Sequence, residues 1–301
     1  MAKIGIIGGS GLGDALCGDA ASCKRHNVPT PFGDPSDAIL ETRWGGTTVF
    51  LLNRHGPGHL IGPSDVNYRA NIYALKALGC THVIASGAVG SLREEIQPKD
   101  LVIPDQIIDK THRRVPTFFD RALAVHVELA APFCPVLQRH LAACAAASST
   151  APTQWVAPTR VHVGGTYVCM EGPGFSTRAE SEMHRAWGAS LIGMTAAPEF
   201  KLAREAELAY ALLCLPSDYD CWRPAPNDLS KQELLKEIIG NLTQATANAM
   251  ALIRQAVARF DEIATIPSPA HSALELAIWT RRDMIVPAQR QHLGVLLEKY
   301  V

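Results

Sequence analysis

The sequence predicts an α/β fold: a single domain with a mixed, largely parallel central β-sheet flanked by helices. Short β-branched runs alternate with longer helical patterns, and the runs are continuously apolar. Strands of that kind have both faces covered by helices, which is typical of parallel or mixed sheets. The chain of 301 residues is 47% hydrophobic, which is ordinary for a globular protein and excludes disorder over most of its length.

The strands are predicted from short apolar runs that lead into turn residues. In chain order these runs are Ile4–Ile7, Thr47–Leu52, Val83–Ala85, Leu101–Ile108, Tyr167–Met170, Ser190–Met194 and Leu208–Leu215.

The helices between them are predicted from their end signals. A proline in the first turn and a glycine just past the end mark one helix, and two capping boxes mark the starts of two others. The predicted helices are Pro63–Leu78, a second from Thr177 to near Gly188, a third starting at Pro198, and a fourth from Ser230 to Phe260. The capping boxes pair Thr177 with Glu180 and Ser230 with Glu233. The segment Leu141–Ala151 is predicted to be a helix end followed by a loop.

The length alone allows one or two domains, at about 150 residues per domain. The paired prolines of Ile266-Pro267-Ser268-Pro269 make the one break in composition. We therefore interpret residues 1–265 as one domain and residues 266–301 as a C-terminal helical tail that packs on the same domain or on a neighbouring subunit.

The composition argues against several function classes. The 28 basic and 29 acidic side chains leave no basic footprint for nucleic acid or anionic lipid. No apolar run approaches the ~18 residues of a membrane helix, and the N-terminus lacks a signal-peptide pattern. The eight cysteines are scattered without a CxxC pair, which is typical of a reducing compartment. We expect a cytoplasmic protein, with the nucleus as a second location.

Three strand ends carry groups suited to phosphate. The segment Gly8-Gly9-Ser10-Gly11 offers backbone N–H groups and a hydroxyl, although a tight turn would look the same. Its glycine spacing differs from the GxGxxG dinucleotide fingerprint. Arg54 and His55 follow a second strand, and Ser86-Gly87-Ala88 follows a third. Because such ends meet at one edge of a parallel sheet, the three together favour a phosphate pocket over separate surface loops.

Two carboxylates follow the last predicted strand. Asp218 and Asp220 lie two residues apart in Ser217-Asp218-Tyr219-Asp220-Cys221-Trp222. Crowding and partial burial raise the pKa of one carboxyl in such a pair, which makes it a general acid near neutral pH. A solvated turn is the alternative, which the adjacent Trp222 disfavours. A metal site is disfavoured because no His or Cys cluster accompanies the pair.

Taken together, the motifs resemble those of the 5′-methylthioadenosine phosphorylases, within the trimeric purine nucleoside phosphorylases. The resemblance runs from Lys3 to Phe260, and the tail matches only loosely. The matching blocks, in order, are Gly8-Gly9-Ser10-Gly11-Leu12, Asn53-Arg54-His55-Gly56, Val66-Asn67-Tyr68-Arg69-Ala70-Asn71-Ile72, Gly90-Ser91-Leu92-Arg93-Glu94-Glu95-Ile96-Gln97-Pro98, Glu171-Gly172-Pro173-Gly174-Phe175-Ser176, Gly193-Met194-Thr195 and Asp218-Tyr219-Asp220-Cys221-Trp222.

The resemblance implies phosphorolysis of a nucleoside, with roles for individual residues. Asp218 would protonate or hydrogen-bond N7 of the leaving base, and Asp220 would lie near the exocyclic amine. Met194 would line the ribose, and Phe175 would pack on the ribose or the base. By the same resemblance, the phosphate ligands would be Ser10, Arg54, His55, the Gly87-Ala88 turn and Thr195.

The residues on the base side favour a 6-amino purine. A carboxylate such as Asp218 accepts from an amino group, whereas a 6-oxo group is better met by an amide donor. Ser176 stands where, by resemblance, the inosine and guanosine enzymes carry a glutamate. Gly193, however, is more like those enzymes, which keeps methylthioinosine and ordinary purine nucleosides as alternative substrates. Gly87 for a threonine and Gly174 for an arginine are further departures that leave the reaction class unchanged.

The resemblance also predicts a homotrimer without a metal or an organic cofactor, with inorganic phosphate as co-substrate. His126 would reach the 5′ pocket of a neighbouring subunit, and Leu234 with tail residues would surround the methylthio group. Lys231 stands near a position that is small and apolar in the family, so the pocket is more polar or more open there.

Two other classes of function remain as alternatives. A nucleotide-binding module would use Gly8–Gly11 as a dinucleotide loop and would give Arg54, His55 and the aspartates no role. A catalytically inactive interaction protein on the same fold is the other alternative, against which the retained Ser10, Arg54, His55, Thr195 and Asp218 argue.

Overall fold

The computed structural model describes residues 3–9, 12, 23–120, 123–150, 155, 157–224 and 230–300, with the side chains of 148–150 left out. Within that part of the chain, eleven strands form one mixed sheet. The strands are β1 (Lys3–Gly8), β2 (Lys24–His26), β3 (Ile39–Trp44), β4 (Thr47–Asn53), β5 (His82–Ser91), β6 (Leu101–Ile103), β7 (Gln106–Asp109), β8 (Val161–Val163), β9 (Thr166–Cys169), β10 (Leu191–Gly193) and β11 (Ala209–Asp218).

The helices lie between and after these strands, and their caps follow the sequence signals. Both predicted capping boxes are present, at Thr177 with Glu180 and at Ser230 with Glu233. The α-helices are α1 (Tyr68–Ala77), α2 (Pro135–Thr150), α3 (Arg178–Ala186), α4 (Ala196–Glu205), α5 (Lys231–Ala258) and α6 (Pro287–Leu293). Short 3₁₀ turns lie at Pro57–His59, Asp220–Trp222, Phe260–Glu262, Pro269–Ser272, Arg282–Met284 and Gly294–Leu296.

The sheet is largely parallel around its centre, as predicted. β1 pairs in parallel with β4 on one side and with β5 on the other. β5 also pairs in parallel with β11, whereas its last residues pair antiparallel with β10. Because the carboxyl ends of β1, β4, β5 and β11 point the same way, the loops that follow them meet at one edge of the sheet.

Both faces of the sheet are covered, which confirms the interpretation of the continuous apolar strands. Along β1, Ile6 packs in the cluster beneath α2 and α5, and its neighbour Ile7 packs in the cluster beneath α1 and α4. β5 alternates in the same way at Val83 and Ile84. Successive side chains of a strand point to opposite faces, so each face of the sheet has its own apolar core.

The C-terminal segment packs on the larger of these cores. Leu274, Leu293 and Leu296 are buried in the cluster that contains α1. The boundary between residues 265 and 266 stays a prediction. No helix among the described residues is long and apolar enough to cross a membrane.

Three predicted elements differ from the observed ones. The strand predicted over Leu101–Ile108 is two strands, because β6 pairs with β11 and β8 whereas β7 pairs with β9, and the proline between them has no N–H to donate. The first predicted helix begins at Tyr68 instead of Pro63, since the Asn67 side chain caps it by accepting from Ala70 N. The alanine-rich segment belongs to α2, which continues to residue 150 because alanine favours helix.

The predicted Gly87-Ala88 turn is also wrong. β5 continues as a strand from His82 to Ser91, held by parallel pairing with β11 as far as Gly90. A glycine inside a strand marks a close approach of another group, and Gly87 provides one for the site described below.

One buried side chain in this fold makes stability depend on pH. The imidazole of His82 is fully buried against Phe260 and His271, and its Nε2 has no hydrogen-bond partner. Burial, and then the nearby His271 and His140, lower the pKa of His82 to about 4. The folded protein therefore holds this ring neutral.

We expect acid to destabilise the fold through His82. Its contribution is fully present above the unfolded pKa of about 6.5 and is lost as pH falls towards 4, by about 3 kcal/mol in total. Chemical unfolding of the wild type and of His82→Leu between pH 7.5 and 4.5 measures this loss, and the variant should show a shallower pH dependence. Equal slopes for the two proteins would contradict the assignment.

Candidate active site

The carboxyl ends of β1, β4 and β5 bring the three predicted strand ends together. Gly8 pairs with Asn53, and the next residue, Arg54, donates its backbone N–H to the carbonyl of Gly8 at 3.0 Å. Gly9 donates its N–H to the Ser86 hydroxyl at 3.4 Å. Ser10, the predicted hydroxyl ligand, lies outside the described residues.

Arg54 is fully buried at this edge and is held by a carboxylate. Its Nε and Nη2 donate to the two carboxylate oxygens of Glu199 at 2.7 and 2.8 Å, and its Nη1 donates to the carbonyl of Ser86 at 2.7 Å. Burial alone lowers the pKa of Arg54, but the Glu199 charge outweighs this and raises the pKa above its ordinary value. The guanidinium is therefore a fixed positive charge.

Glu199 belongs to α4 and is itself fully buried. The Tyr210 hydroxyl donates to its Oε1 at 2.8 Å, so the carboxylate accepts from two elements, β4 and β11. We call Arg54, Glu199 and Tyr210 the arginine clamp. Sequence reasoning missed Glu199, because a glutamate in the first turn of a helix is ordinary there.

Gly9 allows the backbone to approach the clamp. A Cβ at this position would lie 2.7 Å from the Ser86 carbonyl oxygen and 2.8 Å from Arg54 Nη1. Atoms that close must shift, and one of them is backbone. The glycine is therefore required for packing, in addition to any anion contact its N–H makes.

His55 is buried next to the clamp in a defined tautomer. Its Nδ1 lies 2.8 Å from the carbonyl oxygen of Ile61, which can only accept, so Nδ1 carries the proton. Burial, followed by the Arg54 charge, lowers the pKa of His55 to about 4. At neutral pH, Nε2 therefore carries a lone pair and can accept a hydrogen bond.

Thr195 stands opposite the glycine of β5. Its Oγ1 lies 3.5 Å from the position a Gly87 Cβ would occupy. Thr195 directly precedes α4, but its side chain makes no capping hydrogen bond, and the backbone at Ala197 is not helical, so Thr195 lies before the regular part of that helix. The structure thus places Arg54, Gly87 and Thr195 around one edge of the sheet.

The aspartate pair lies at the end of β11, where Asp218 is the pairing partner of Gly90 in β5. Asp218 accepts from the Ser217 hydroxyl and from the backbone N–H of Asp220, both at 2.7 Å. The Ser181 hydroxyl donates to Asp220. Burial is the main cause that raises the pKa of Asp218, with a smaller contribution from the Asp220 charge. The predicted direction of the shift is correct, but burial outweighs crowding as its cause.

A second buried arginine, Arg114, connects the segment at Glu171 with the segment at Met194. Arg114 donates to Glu171 Oε1 at 3.1 Å, to the Glu171 carbonyl at 2.7 Å and to the Met194 carbonyl. Burial raises the pKa of Glu171, but hydrogen bonds from Ser64 and from the His112 backbone outweigh it and lower the pKa to about 2. Sequence reasoning missed Arg114, which lies in no recognised motif.

The segment after Glu171 carries two predicted substrate residues in different settings. Phe175 is 87% exposed and makes no ring contact with another described residue. Ser176 is tied to the aspartate segment, because Cys221 Sγ donates to its carbonyl at 3.2 Å. Gly193 is buried beside the Tyr167 ring.

The residues predicted for the 5′ pocket lie on segments other than those that carry the arginine clamp and the aspartate pair. His126 is exposed and contacts the Trp279 ring edge-to-face at 5.1 Å between centroids. Lys231 and Leu234 lie in the first turn of α5, exposed and half-buried respectively. No hydrogen bond or ion pair in the described part of the chain joins these three to Asp218. That part of the chain also holds no cluster of three metal-ligating side chains.

Comparison with known proteins shows the family of the chain. The sequence profile described as "Phosphorylase superfamily" matches residues 3–258. The chain belongs to the phosphorylase superfamily. This confirms the family resemblance inferred from the motifs.

The similar proteins, including one with a crystal structure, align with almost the whole chain. Proteins named S-methyl-5′-thioadenosine phosphorylase from Thermosynechococcus vestitus and Gloeobacter violaceus are 45% and 44% identical, covering 100% of this chain and 99% and 96% of theirs. The crystal structure of a methylthioadenosine phosphorylase from an antarctic soil metagenomic library has a TM-score of 0.87 at 43% identity, covering 98% of this chain and 99% of its own.

A second solved structure holds a ligand. It is the methylthioadenosine phosphorylase from Schistosoma mansoni in complex with adenine, with a TM-score of 0.77 at 37% identity, covering 87% of this chain and 93% of that one. The roles of individual residues in this chain stay predictions.

We expect Glu199→Gln to weaken phosphate binding strongly. The neutral amide leaves the buried guanidinium of Arg54 without its counter-charge, which costs about 3 kcal/mol or more of stability and frees Arg54 to move. The measurement is the phosphate concentration that half-saturates the rise in melting temperature, and it should increase about tenfold.

Glu205→Gln is the matched control for this test. Glu205 lies on the same helix, and its pKa is raised to about 7 by burial, so an amide there replaces a carboxyl that is already partly neutral. It should leave phosphate binding unchanged. If Glu199→Gln fails to fold, Tyr210→Phe removes one hydrogen bond from the clamp and should raise the requirement about threefold. Wild-type phosphate binding in a folded Glu199→Gln or Tyr210→Phe protein would refute the role of the clamp.

Proposed function

We propose that this phosphorylase catalyses the reversible phosphorolysis of S-methyl-5′-thioadenosine to adenine and 5-methylthioribose 1-phosphate. Phosphate attacks C1′ of the ribose while the bond from C1′ to N9 of adenine breaks, and the electron pair of that bond leaves with the base. The full-length relatives that carry this name support the choice of substrate.

The observation that carries the proposal is that β5 passes beside both the candidate phosphate ligands and the candidate acid. On β5, Gly87 faces Thr195 on the arginine-clamp side, and Gly90 faces Asp218, whose Oδ1 lies 3.4 Å from the position of a Gly90 Cβ. Three residues of extended strand span about 10 Å. An anion at one end and an acid at the other thus leave room for a ribose between them.

The phosphate end supplies charge, donors and one acceptor. Arg54 contributes a fixed positive charge, and Thr195 brings its hydroxyl. His55 presents its Nε2 lone pair to the proton that monohydrogen phosphate carries. Gly87, Ala88 and Ser10 are proposed as the remaining ligands. Phosphate is the co-substrate, and the proposed reaction uses no metal and no organic cofactor.

The base end supplies the acid. Because the pKa of Asp218 is raised by burial, its carboxyl keeps a proton closer to neutrality than a solvated aspartate does, and it donates to N7 as charge develops there. Asp220, oriented by Ser181, accepts from the exocyclic amine. Met194 lines the ribose, and Phe175 closes over the ribose or base. These contacts favour 6-amino purines.

The test is release of the free base from S-methyl-5′-thioadenosine, with and without phosphate, beside adenosine, inosine and methylthioinosine. We expect release that requires phosphate and is fastest with methylthioadenosine. Faster turnover of inosine or methylthioinosine would support the 6-oxo alternative. No turnover of any nucleoside by folded protein with phosphate present would refute phosphorolysis.

Variants of Asp218 and Asp220 test the base end within the same assay. Asp218→Ala should lower kcat by about two orders of magnitude or more, since it removes the proton donor. Asp220→Asn should shift the preference towards 6-oxo nucleosides, because an amide donates where the Asp220 carboxylate accepts from the exocyclic amine. Asp261→Asn, an exposed aspartate in the turn after α5 and near the opposite end of β5 from the site, is the control. Unchanged turnover in Asp218→Ala would end the assignment.

We also propose that the phosphorylase is a homotrimer in which His126 completes the 5′ pocket of a neighbouring subunit, where Lys231 and Leu234 lie. Trp279, in contact with His126, is 72% exposed, and Leu276 is 90% exposed. Large apolar side chains exposed together mark a protein interface. This surface comes from the C-terminal segment and the segment around residue 126.

Light scattering of Trp279→Glu tests this assembly. A buried negative charge at the interface should dissociate the trimer and, with the pocket incomplete, reduce turnover of methylthioadenosine. Val163→Glu, at a position 63% exposed on β8, is the control and should stay trimeric. A monomeric wild-type protein with full activity would overturn the proposal.

A cytoplasmic location, with the nucleus as a second one, completes the proposal. Cys80, Cys134, Cys169 and Cys214 are buried thiols that are not joined in disulfides. Thiols kept in that form are typical of a reducing compartment.

A further inference from the structure

The glycine at the end of β10 is required for space. A Cβ on Gly193 would overlap the hydroxyl oxygen of Tyr167 and lie 2.8 Å from its Cζ. Gly193 does not have a positive φ, so its backbone conformation does not require glycine. The tyrosine is what excludes a side chain at position 193.

Tyr167 cannot move aside easily. It lies on β9, which pairs in parallel with β10, and its ring is only 2% exposed within the larger apolar core. Burial raises the pKa of Tyr167 well above its ordinary value, so the phenol keeps its proton. Tyr167 and Gly193 therefore form one packing unit, in which a large side chain on one strand fills the space left by glycine on the next.

The hydroxyl of this tyrosine reaches the phosphate end of the site. It accepts a long hydrogen bond from the backbone N–H of Thr195 at 3.5 Å, and the Arg54 charge acts on it. Thr195 in turn stands beside Gly87 at the start of α4, and Glu199 of the arginine clamp follows one turn later. No described residue accepts the Tyr167 proton.

We propose that Tyr167, given room by Gly193, is a positioning residue that fixes Thr195 for phosphate, and that Gly193 therefore sets phosphate affinity and not the choice of purine. The inference rests on the proposed phosphorolysis for its kinetic consequence. It removes the main reason for assigning 6-oxo nucleosides to this chain, since the glycine is explained by its neighbour across the strand pair.

The direct test is Tyr167→Phe, which keeps the ring and removes the hydroxyl. The KM for phosphate should rise about three- to tenfold, the effect of one buried hydrogen bond. The kcat at saturating phosphate, the KM for the nucleoside and the ratio of 6-amino to 6-oxo turnover should stay as in the wild type. Tyr73→Phe is the matched control, because its hydroxyl also lies against a glycine, Gly294, which belongs to the C-terminal segment, so its phosphate KM should not change.

A second pair of variants tests the coupling. Gly193→Ala alone should lower the melting temperature and raise the phosphate KM more than Tyr167→Phe does, because the new methyl displaces the ring. Gly193→Ala combined with Tyr167→Leu should recover melting temperature relative to Gly193→Ala. A melting temperature no higher in the double variant would overturn the pairing.

Base preference gives the decisive contrast. If Gly193→Ala changes the 6-amino to 6-oxo ratio while the phosphate KM stays at its wild-type value, the glycine acts on the purine and the inference is wrong. An unchanged phosphate KM in folded Tyr167→Phe, with active wild type, also overturns it.

Failure of the proposed function gives a different result. If the wild type cleaves no nucleoside, the phosphate-dependent rise in melting temperature, recorded without nucleoside, still reports on Tyr167. A weaker rise in Tyr167→Phe than in Tyr73→Phe would then support the positioning role, and equal rises would refute it.

Discussion

The buried ion pair between Arg54 and Glu199 is the interaction on which the rest of the site depends. It joins the end of β4 to the first turn of α4, while Tyr210 ties it to β11 and the Ser86 carbonyl ties it to β5. An ion pair in an apolar core contributes little net stability, because desolvation offsets the attraction, but losing one partner is very costly. Such a pair is better suited to fixing geometry than to stabilising the fold.

Strand β5 connects the region around this ion pair with the region around the aspartates. The strand passes beside Thr195 at Gly87 and beside Asp218 at Gly90, so both halves of the site lie along it. Arg114 performs a similar role across the loops, since it holds the carbonyls of Glu171 and Met194 at once. The two buried arginines thus hold elements that are far apart in the chain.

The sequence predicted those features whose signals are local. The capping boxes at Thr177 and Ser230, the continuous apolar strands and the basic pair after β4 were all recognised from neighbouring residues. Glu199, Arg114 and Tyr167 were missed, because their roles come from contacts with residues far away in the chain. The same limit explains why the sequence analysis related Gly193 to the choice of purine. The feature that requires glycine there is the Tyr167 ring on the adjacent strand, which the sequence does not reveal.

The tautomer of His55 has a consequence for the choice of oxyanion. With Nδ1–H committed to the Ile61 carbonyl and the ring neutral, Nε2 can only accept a hydrogen bond. An oxyanion in contact with Nε2 must therefore bring its own proton. Near neutral pH monohydrogen phosphate has one, whereas sulfate, of nearly the same size and shape, has none and would set its oxygen lone pairs against that of the ring. In the proposed role of His55 as a phosphate ligand, discrimination between these two ions therefore depends on the Ile61 carbonyl, which fixes the tautomer of the ring.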